Sequence, residues 1–455
     1  MEKITIIGGG LAGSEAAWQA AKRGLDVSLY EMRPQKQTGA HTGSYLAELV
    51  CSNSLGSNLV DRASGLLKEE IRRLDSLLLS IAEETAVPAG GALAVDRDGF
   101  ARRVTESIEN HPNITVFRQE MMDIPDGSVI IASGPLTSPK LSSVIRELTG
   151  SEHLYFFDAI SPIVDSHTIN MEIAYRASRY ARGELDEGDY INCPLTREEY
   201  EGFIRQLLSA QRIELKEFEI ELVRGVKAGA HKFFEGCLPI EIMAQRGIDA
   251  LAYGPMRPVG LIDPHKRERS HAVVQLRQDN LAGTSYNMVG FQTNLNFSEQ
   301  RRVFRMIPGL ENAEFERYGQ MHRNTFIFSP AHLNPSLQFR GRDDIFFAGQ
   351  ITGVEGYIGN IATGVLAGWN VSRWVRGEPL LTFPKTTMLG ALCYYITQAN
   401  PKDFQPMKAN YGIFPPLEGK RIKGKRQRGQ AYSNRSLQDM EKYLSNIIAH
   451  RHALP

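Results

Sequence analysis

Ile4-Thr5-Ile6-Ile7-Gly8-Gly9-Gly10-Leu11-Ala12-Gly13 opens the chain, and its reading decides the fold. Ile4, Ile6 and Ile7 make a short apolar strand, the glycines form a GxGxxG turn, and the Ala-rich stretch from Leu11 to Arg23 reads as a helix ended by Gly24. A second strand, Leu25 to Tyr30, closes on Glu31. A glycine triplet alone is a weak signal. Strand, turn, helix, strand and terminal acid together mark a dinucleotide cradle. Gly8 permits the tight turn, Gly10 lets backbone approach a pyrophosphate, and Gly13 lets helix and strand pack closely, while the helix N-terminus stabilises phosphate charge. Gly9, Leu11 and Ala12 complete the turn. Glu31 is expected to accept hydrogen bonds from the adenosine ribose hydroxyls.

Outward from this unit, Leu67, Ile71, Leu74 and Leu78 lie at helical spacing, which predicts one helix over Leu66–Ala82. Gly99 to Glu109 reads as another, followed by a strand at Ile114–Phe117. Ser128 to Gly134 reads as a buried strand that runs into Pro135, and Gly134 is a candidate cofactor contact. From about Tyr155 the texture changes, with a helix over Thr196–Ser209 and paired strands at Val273–Arg277 and Tyr286–Phe291. Asp344 to Gly349 then restores the strand-then-glycine pattern, followed by a small-residue helix from Gly359 to Trp374. The expected fold is α/β. A Rossmann-like domain, split in sequence as 1–154 and 331–455, carries an inserted α/β substrate domain at 155–330.

Composition is that of a soluble globular protein, 42% hydrophobic and 23% charged over 455 residues. Basic and acidic residues number 52 each, so the net charge is zero; this leaves a nucleic-acid partner open, because affinity depends on local basic patches. Cys51, Cys193, Cys237 and Cys393 have no CxxC spacing and no nearby His pair, which argues against a metal site and against a disulfide framework. Reduced thiols, no signal segment and no long apolar run predict a cytoplasmic protein with no membrane span.

The N-terminal fingerprint does not choose between FAD and NAD. Phe347-Ala348-Gly349-Gln350, then Gly353, Gly356-Tyr357-Ile358 and Asn360, resembles the closing FAD segment of two-dinucleotide flavoproteins. The expected cofactor is FAD, with Gly349, Gln350, Gly356, Tyr357 and Ile358 among its contacts. Many relatives carry Asp where this chain has Gln350, and an amide still serves a ribityl hydroxyl. No second GxGxxG marks a nicotinamide site.

Two cysteine segments carry a more specific resemblance. Glu48-Leu49-Val50-Cys51-Ser52-Asn53-Ser54-Leu55 follows the fingerprint, and Phe233-Phe234-Glu235-Gly236-Cys237-Leu238-Pro239-Ile240-Glu241 lies in the insertion. With Tyr190 to Leu195 and Gly349 to Ile358, these resemble the folate- and FAD-dependent tRNA (uracil-5-)-methyltransferases, over essentially the whole chain. A sister family, the larger FAD proteins that modify wobble uridines, shares the glycine turn and the Ala348-Gly349-Gln350 segment but lacks both cysteine segments. The resemblance implies formation of 5-methyluridine at position 54 of the tRNA T-loop. It implies 5,10-methylenetetrahydrofolate as carbon donor, reduced FAD as hydride source and NAD(P)H as final reductant. It makes Cys237 the candidate nucleophile toward uracil and Cys51 a second active-site thiol, an order the sequence leaves open. His231 and Lys232 lie near enough in sequence to activate Cys237. Cys193 and Cys393 read as structural. A small-molecule flavin oxidoreductase and an RNA-binding scaffold without turnover are the other function classes.

Lys420-Arg421-Ile422-Lys423-Gly424-Lys425-Arg426-Gln427-Arg428 holds six basic residues in nine, with no acid between Glu418 and Asp439. Such a run suits phosphate neutralisation, although most charge runs are solvated faces. Arg301, Arg302 and Arg305, and Lys266, Arg267 and Arg269, form smaller clusters. His265, His271 and Arg277 read first as a solvated strand edge and second as cations for folate carboxylates.

Overall fold

The computed structural model describes residues 2–151, 154–181, 183–213, 238–267, 269–402, 404–419 and 422–452. Its first sheet has five parallel strands in the order Ile345–Phe347, Val129–Ile131, Lys3–Ile7, Asp26–Tyr30 and Ile114–Phe117. Strands buried on both faces need apolar residues at every position. Val129, Ile130 and Ile131, and Ile345, Phe346 and Phe347, are all buried. This is the Rossmann-like α/β architecture expected. The late strand Ile345–Phe347 pairs in register with Val129–Ile131, so the chain returns to its first sheet after a long excursion.

Helices Leu11–Lys22 and Tyr357–Val375 pack directly on each other beside this sheet. Their contact is close because small residues line it: a Cβ at Gly364 would collide with the Ala12 carbonyl oxygen, and one at Gly368 would lie 2.7 Å from that of Ala16. The run of small residues after Gly359 is therefore a packing surface.

One predicted helix is two. Ala63–Arg73 and Leu77–Glu84 are separated at Leu74 to Ser76, where Asp75 takes a left-handed conformation (φ 60°) and Ser76 caps the second helix. The apolar spacing continues across the break, which hid it. The buried Glu15 carboxylate stabilises the break by accepting from Ser76 Oγ (2.8 Å) and the Leu78 N–H (2.9 Å). Strand ends also shift: Ser128–Gly134 contracts to Val129–Ile131, and Tyr286–Phe291 becomes Ser285–Met288.

The inserted segment contains a six-stranded sheet whose neighbours are all antiparallel. Its order is Tyr175–Ala177, Tyr190–Leu195, Ala272–Gln278, Ser285–Met288, Ile163–Asp165 and Phe315–Arg317. Helices Arg197–Ser209 and Phe297–Phe304 cover it, burying Tyr200, Phe203, Leu207, Val303 and Phe304 in a second core. Thr196 and Glu199 form a reciprocal capping box at the first of these helices, as the Thr-Arg-Glu-Glu sequence favours. The two chain crossings between the sheets, Leu154–Ala159 and Met321–Phe326, pair antiparallel with each other. Among the described residues, no helix is long and apolar enough to cross a membrane.

Candidate active site

The parallel sheet has its order reversal between Lys3–Ile7 and Val129–Ile131, and open α/β sheets bind ligands at the carboxyl ends of strands at such a point. A cleft of about 970 Å³, counted to its open mouth, lies there. Gly8, Gly10, Leu11, Ala12, Glu31, Gly134, Gly349, Gln350 and Tyr357 all line it, so residues drawn from both ends of the sequence meet. Gly9, Gly13, Gly356 and Ile358 do not line it. The Gly9 N–H donates to Glu31 (3.1 Å), and Ile358 is buried in the main core. A Cβ at Gly13 would collide with the Gly8 carbonyl oxygen, which fits the close packing read from the sequence.

Two helices begin at this cleft, and neither has a side-chain cap. Gly10 precedes Leu11–Lys22 and Gly356 precedes Tyr357–Val375, each without a capping hydrogen bond. The first N–H groups of a helix lack partners within it, and they carry the positive end of its dipole. A Cβ at Gly10 would meet nothing within 4 Å, so the backbone there is open to the cleft. Asn360 adds a buried Oδ1 with no hydrogen-bond partner among the described residues. Uncapped helix ends, open backbone and an orphaned acceptor fit a ligand bearing phosphates and hydroxyls, as a flavin dinucleotide does. Gln350 donates through Nε2 to Glu355 Oε2 (2.9 Å), which leaves its Oε1 to the cleft. Burial, then the nearby Asp158 carboxylate, pushes the Glu355 carboxyl up to about 8.

Glu31 is more engaged than a ribose acceptor needs to be. Its Oε2 takes the Gly9 N–H, and its Oε1 takes both the Arg33 N–H (3.0 Å) and Arg33 Nε (2.9 Å). Burial works to raise its pKa, but the hydrogen bond and charge of Arg33 hold it below the usual carboxylate range. Arg33 is itself 1% exposed and also donates to Glu48 Oε2 (2.8 Å), whose Oε1 accepts from the Thr42 N–H (2.8 Å). His41 lines the same wall. Burial, then the Arg33 charge, pulls it down to about 4, so it is neutral at pH 7. The short spacing of Glu31, Arg33, His41 and Glu48 was the available signal for this network, and the motif reading passed over it.

The Cys51 segment sits at the lip of the cleft. Val50 lines it, and the N–H groups of Cys51 (2.9 Å) and Ser52 (3.1 Å) both donate to the Tyr357 hydroxyl. Burial and the neighbouring Cys51 raise the Tyr357 pKa well above that of a free phenol, so the hydroxyl stays protonated. Cys51 Sγ lies 3.7 Å from the Ala159 carbonyl oxygen. Two buried guanidiniums hold this segment. Arg97 donates to the Leu49 carbonyl and makes a two-point ion pair with Asp279 (2.9 and 3.1 Å). Arg277 donates to Asn53 Oδ1 (2.9 Å) and Ser52 Oγ (2.8 Å). Because Arg277 and Asp279 belong to the inserted segment, both sheets contribute to the placement of Cys51.

Arg277 is therefore no solvated strand edge: it is 8% exposed and spent on the thiol segment. His271 packs edge-on against the Tyr200 ring (5.0 Å), and His265 is exposed in a turn. Cys193 and Cys393 are buried, and burial raises both thiols, Cys393 to about 12, consistent with structural roles. Cys237, His231 and Lys232 lie outside the described residues, as do Lys420 and Arg421. Lys423, Lys425, Arg426 and Arg428 are exposed at the start of helix Lys425–His452, where Arg426 pairs with Asp61 (3.2 Å).

Comparison with known proteins places the chain. The profile of the family described as glucose inhibited division protein A matches residues 3–379. A methylenetetrahydrofolate--tRNA-(uracil-5-)-methyltransferase TrmFO of Enterococcus faecalis is 56% identical over 436 residues, covering 96% of this chain and 97% of the relative. The protein of the same name from Anoxybacillus flavithermus is 54% identical over 445 residues, covering 98% and 100%. Among solved structures, GidA of Aquifex aeolicus superposes with a TM-score of 0.68 at 16% identity, over 97% of this chain and 73% of that one, a likeness of fold.

Proposed function

We propose a function from one premise: this chain belongs to the glucose inhibited division protein A family and, within it, to the methylenetetrahydrofolate--tRNA-(uracil-5-)-methyltransferases. It is a folate-dependent tRNA uracil-5-methyltransferase on a flavoprotein fold. In finer detail, the product is 5-methyluridine in the T-loop, 5,10-methylenetetrahydrofolate is the carbon donor, and NAD(P)H is the final reductant. The cleft would hold FAD, which when bound and reduced would supply the hydride that turns a transferred methylene into a methyl group. The division of labour is a split domain, 1–154 and 331–455, for the flavin and an insertion, 155–330, for the substrate.

The observation that carries this reading is the seating of a thiol segment on the lip of a dinucleotide cleft, tied by Cys51 and Ser52 to Tyr357. Uracil C5 is a weak nucleophile. A thiolate that adds to C6 converts C5 into an enolate carbon, and expulsion of the thiolate after loss of the C5 proton restores the ring. Cys237 is assigned this addition, and Cys51 is the second thiol. The residues of the chain hold the parts in place. The first turns of Leu11–Lys22 and Tyr357–Val375 offer N–H groups to the pyrophosphate and ribityl regions, and Gln350 and Asn360 offer acceptors. Arg97 holds the Leu49 carbonyl before Cys51, and Arg277 holds the Ser52 and Asn53 side chains after it. A target uridine in a folded loop has to leave its stack to reach the cleft.

The test is transfer of labelled methylene carbon from methylenetetrahydrofolate into unmodified tRNA, with and without NAD(P)H. Label is expected in 5-methyluridine at the T-loop position. Label elsewhere in the tRNA refutes the position, and no label with a reducible flavin refutes the methyltransferase assignment.

A further inference from the structure

The segment after helix Ile240–Ala244 contains turns and few regular elements, yet it is anchored. Leu251, Ala252, Met256 and Leu261 are buried in the insertion, and the Val273 N–H donates to the Met256 carbonyl (2.9 Å). Against this fixed underside the outer side chains are unusual. Tyr253 is 84% exposed and Ile262 69%. Arg257, Lys266, Arg267 and Arg269 are exposed, and no ion pair joins any of them to a carboxylate of the described residues. One acid of the stretch, Glu268, stands between Arg267 and Arg269 in the sequence and lies outside the described residues. The described acids nearby are spent or set apart. Asp263 is 2% exposed and accepts the His265 N–H (2.9 Å), Asp249 lies 3.8 Å from His271, and the exposed Glu184, Asp186 and Glu187 follow Tyr180, which packs on Gly260.

Arg257 also crowds another cation. Arg179 is held by two neutral acceptors, Gln275 Oε1 (2.8 Å) and the Val259 carbonyl (2.7 Å), and burial, then the Arg257 charge, lowers its pKa. Uncompensated cations beside an exposed aromatic ring are what a flexible polyanion with unstacked bases requires: arginine and lysine for phosphates, a ring face for a base. The location suits the substrate. Tyr180 follows edge strand Tyr175–Ala177, whose Ala177 is in register with Tyr190, and Tyr190 with Arg277, the residue that holds Ser52. The segment thus runs the length of this sheet edge: Gly260 meets Tyr180 at the end that carries Arg277, while Met256 bonds to Val273 and the chain after Arg269 enters Ala272 at the other end.

We propose that the turn segment 253–269 is an RNA-docking face, on which Tyr253 stacks on an unpaired base while Arg257, Lys266, Arg267 and Arg269 neutralise backbone phosphates. This rests on the tRNA reading above and adds the surface by which the RNA is held. The face is separate from the basic run at 420–428.

The test uses full-length, flavin-loaded protein and unmodified tRNA, with binding titrated over a range of salt. Replacing Arg257, Lys266, Arg267 and Arg269 together by Gln should weaken binding and lower the log–log salt slope by about 3, at roughly 0.7–0.9 per lost phosphate contact. Tyr253→Ala should weaken binding roughly 5- to 150-fold with the salt slope unchanged, the range expected for one lost stack. Flavin absorbance controls for folding. Should the quadruple variant lose flavin, Arg257→Gln with Lys266→Gln, which should lower the slope by about 1.5, replaces it. Wild-type affinity and slope in both variants, with methylation intact in the wild type, overturn this face and leave the function standing. A wild type that neither binds nor methylates tRNA overturns the function itself. Variants that bind tRNA normally but lose self-association or a protein partner assign the face to protein and refute the RNA proposal.

Discussion

Asp279→Ala is the substitution whose cost follows most directly from the structure. Asp279 and Arg97 are 182 residues apart in sequence and form a two-point ion pair with side chains 7% and 9% exposed. Burial alone would lower the Arg97 pKa, and the Asp279 charge more than restores it. Removing the carboxylate strands a buried guanidinium, a change that costs about 3–5 kcal/mol. Arg97 keeps its bond to the Leu49 carbonyl, which places the expected loss near 3 kcal/mol. That is a large share of a typical stability of about 5–15 kcal/mol. Urea unfolding followed by tryptophan fluorescence, with flavin release as a second probe, measures it. The double variant Arg97→Met with Asp279→Leu should recover more than 1 kcal/mol relative to the sum of the single losses, because no charge is then left alone. Methylation should not recover with it, since Leu49 has lost its donor and the Cys51 segment one of its two guanidinium anchors. A single variant within about 1 kcal/mol of wild type, or strict additivity in the double, refutes the account.

Gly10→Val should fold, because a Cβ there meets no protein atom, but it should be colourless as isolated; a yellow, stoichiometrically loaded variant would mean the cradle is misplaced. tRNA bearing 5-fluorouridine should trap a covalent complex with wild type that Cys237→Ala does not form, and an adduct lost only in Cys51→Ala reverses the two thiols. Neutralising Lys420, Arg421, Lys423, Lys425, Arg426 and Arg428 should flatten the salt dependence of tRNA binding by less than six full contacts, since Arg426 already pairs with Asp61; an unchanged slope makes the tail a solvated face. The buried Glu70 carboxyl is pushed up to about 7, by burial against the hydrogen bonds it accepts from Ser436, Met388 and Leu389. Its folded value lies above the unfolded 4.5, so its contribution is full below pH 4.5 and is lost as pH rises through 7, about 3 kcal/mol in all. Glu70→Gln should therefore show a shallower fall in unfolding free energy between pH 5 and 8, and equal slopes would exclude Glu70 as the source.

Much of the cleft at the sheet's order reversal was legible in the sequence because glycine encodes backbone geometry locally. Gly8 sits at φ 107° and Gly13 touches the Gly8 carbonyl, so the spacing of the turn is its structure in shorthand. The second half was legible for the same reason, through Gly349, which lines the cleft at φ 80°, and Gly356, which precedes the helix that begins there at φ 86°. What stayed hidden depends on partners far along the chain. Nothing near Arg97 announces Asp279, and nothing near Ser52 announces Arg277. The break at Leu74–Ser76 was invisible because an uninterrupted apolar spacing serves one helix or two equally well, and the Glu15 carboxylate that stabilises the break lies some sixty residues earlier. Ile358 shows the other side of this: a resemblance spanning Gly349 to Ile358 takes in every residue of the segment, whereas successive residues of a helix face different ways and this one enters the core.

Helices Leu11–Lys22 and Tyr357–Val375 bring their amino ends to one cleft while touching each other through Gly364 and Gly368. The two ends are therefore prongs of a single fork, with its width fixed along the shaft, from Ala12 at the cleft down to Ala16. No prong can be adjusted alone: a methyl group added on the shaft spreads both. The gap between two polar tips is thus set mainly by how closely two backbones can approach, a matter of missing side-chain atoms and not of polar groups.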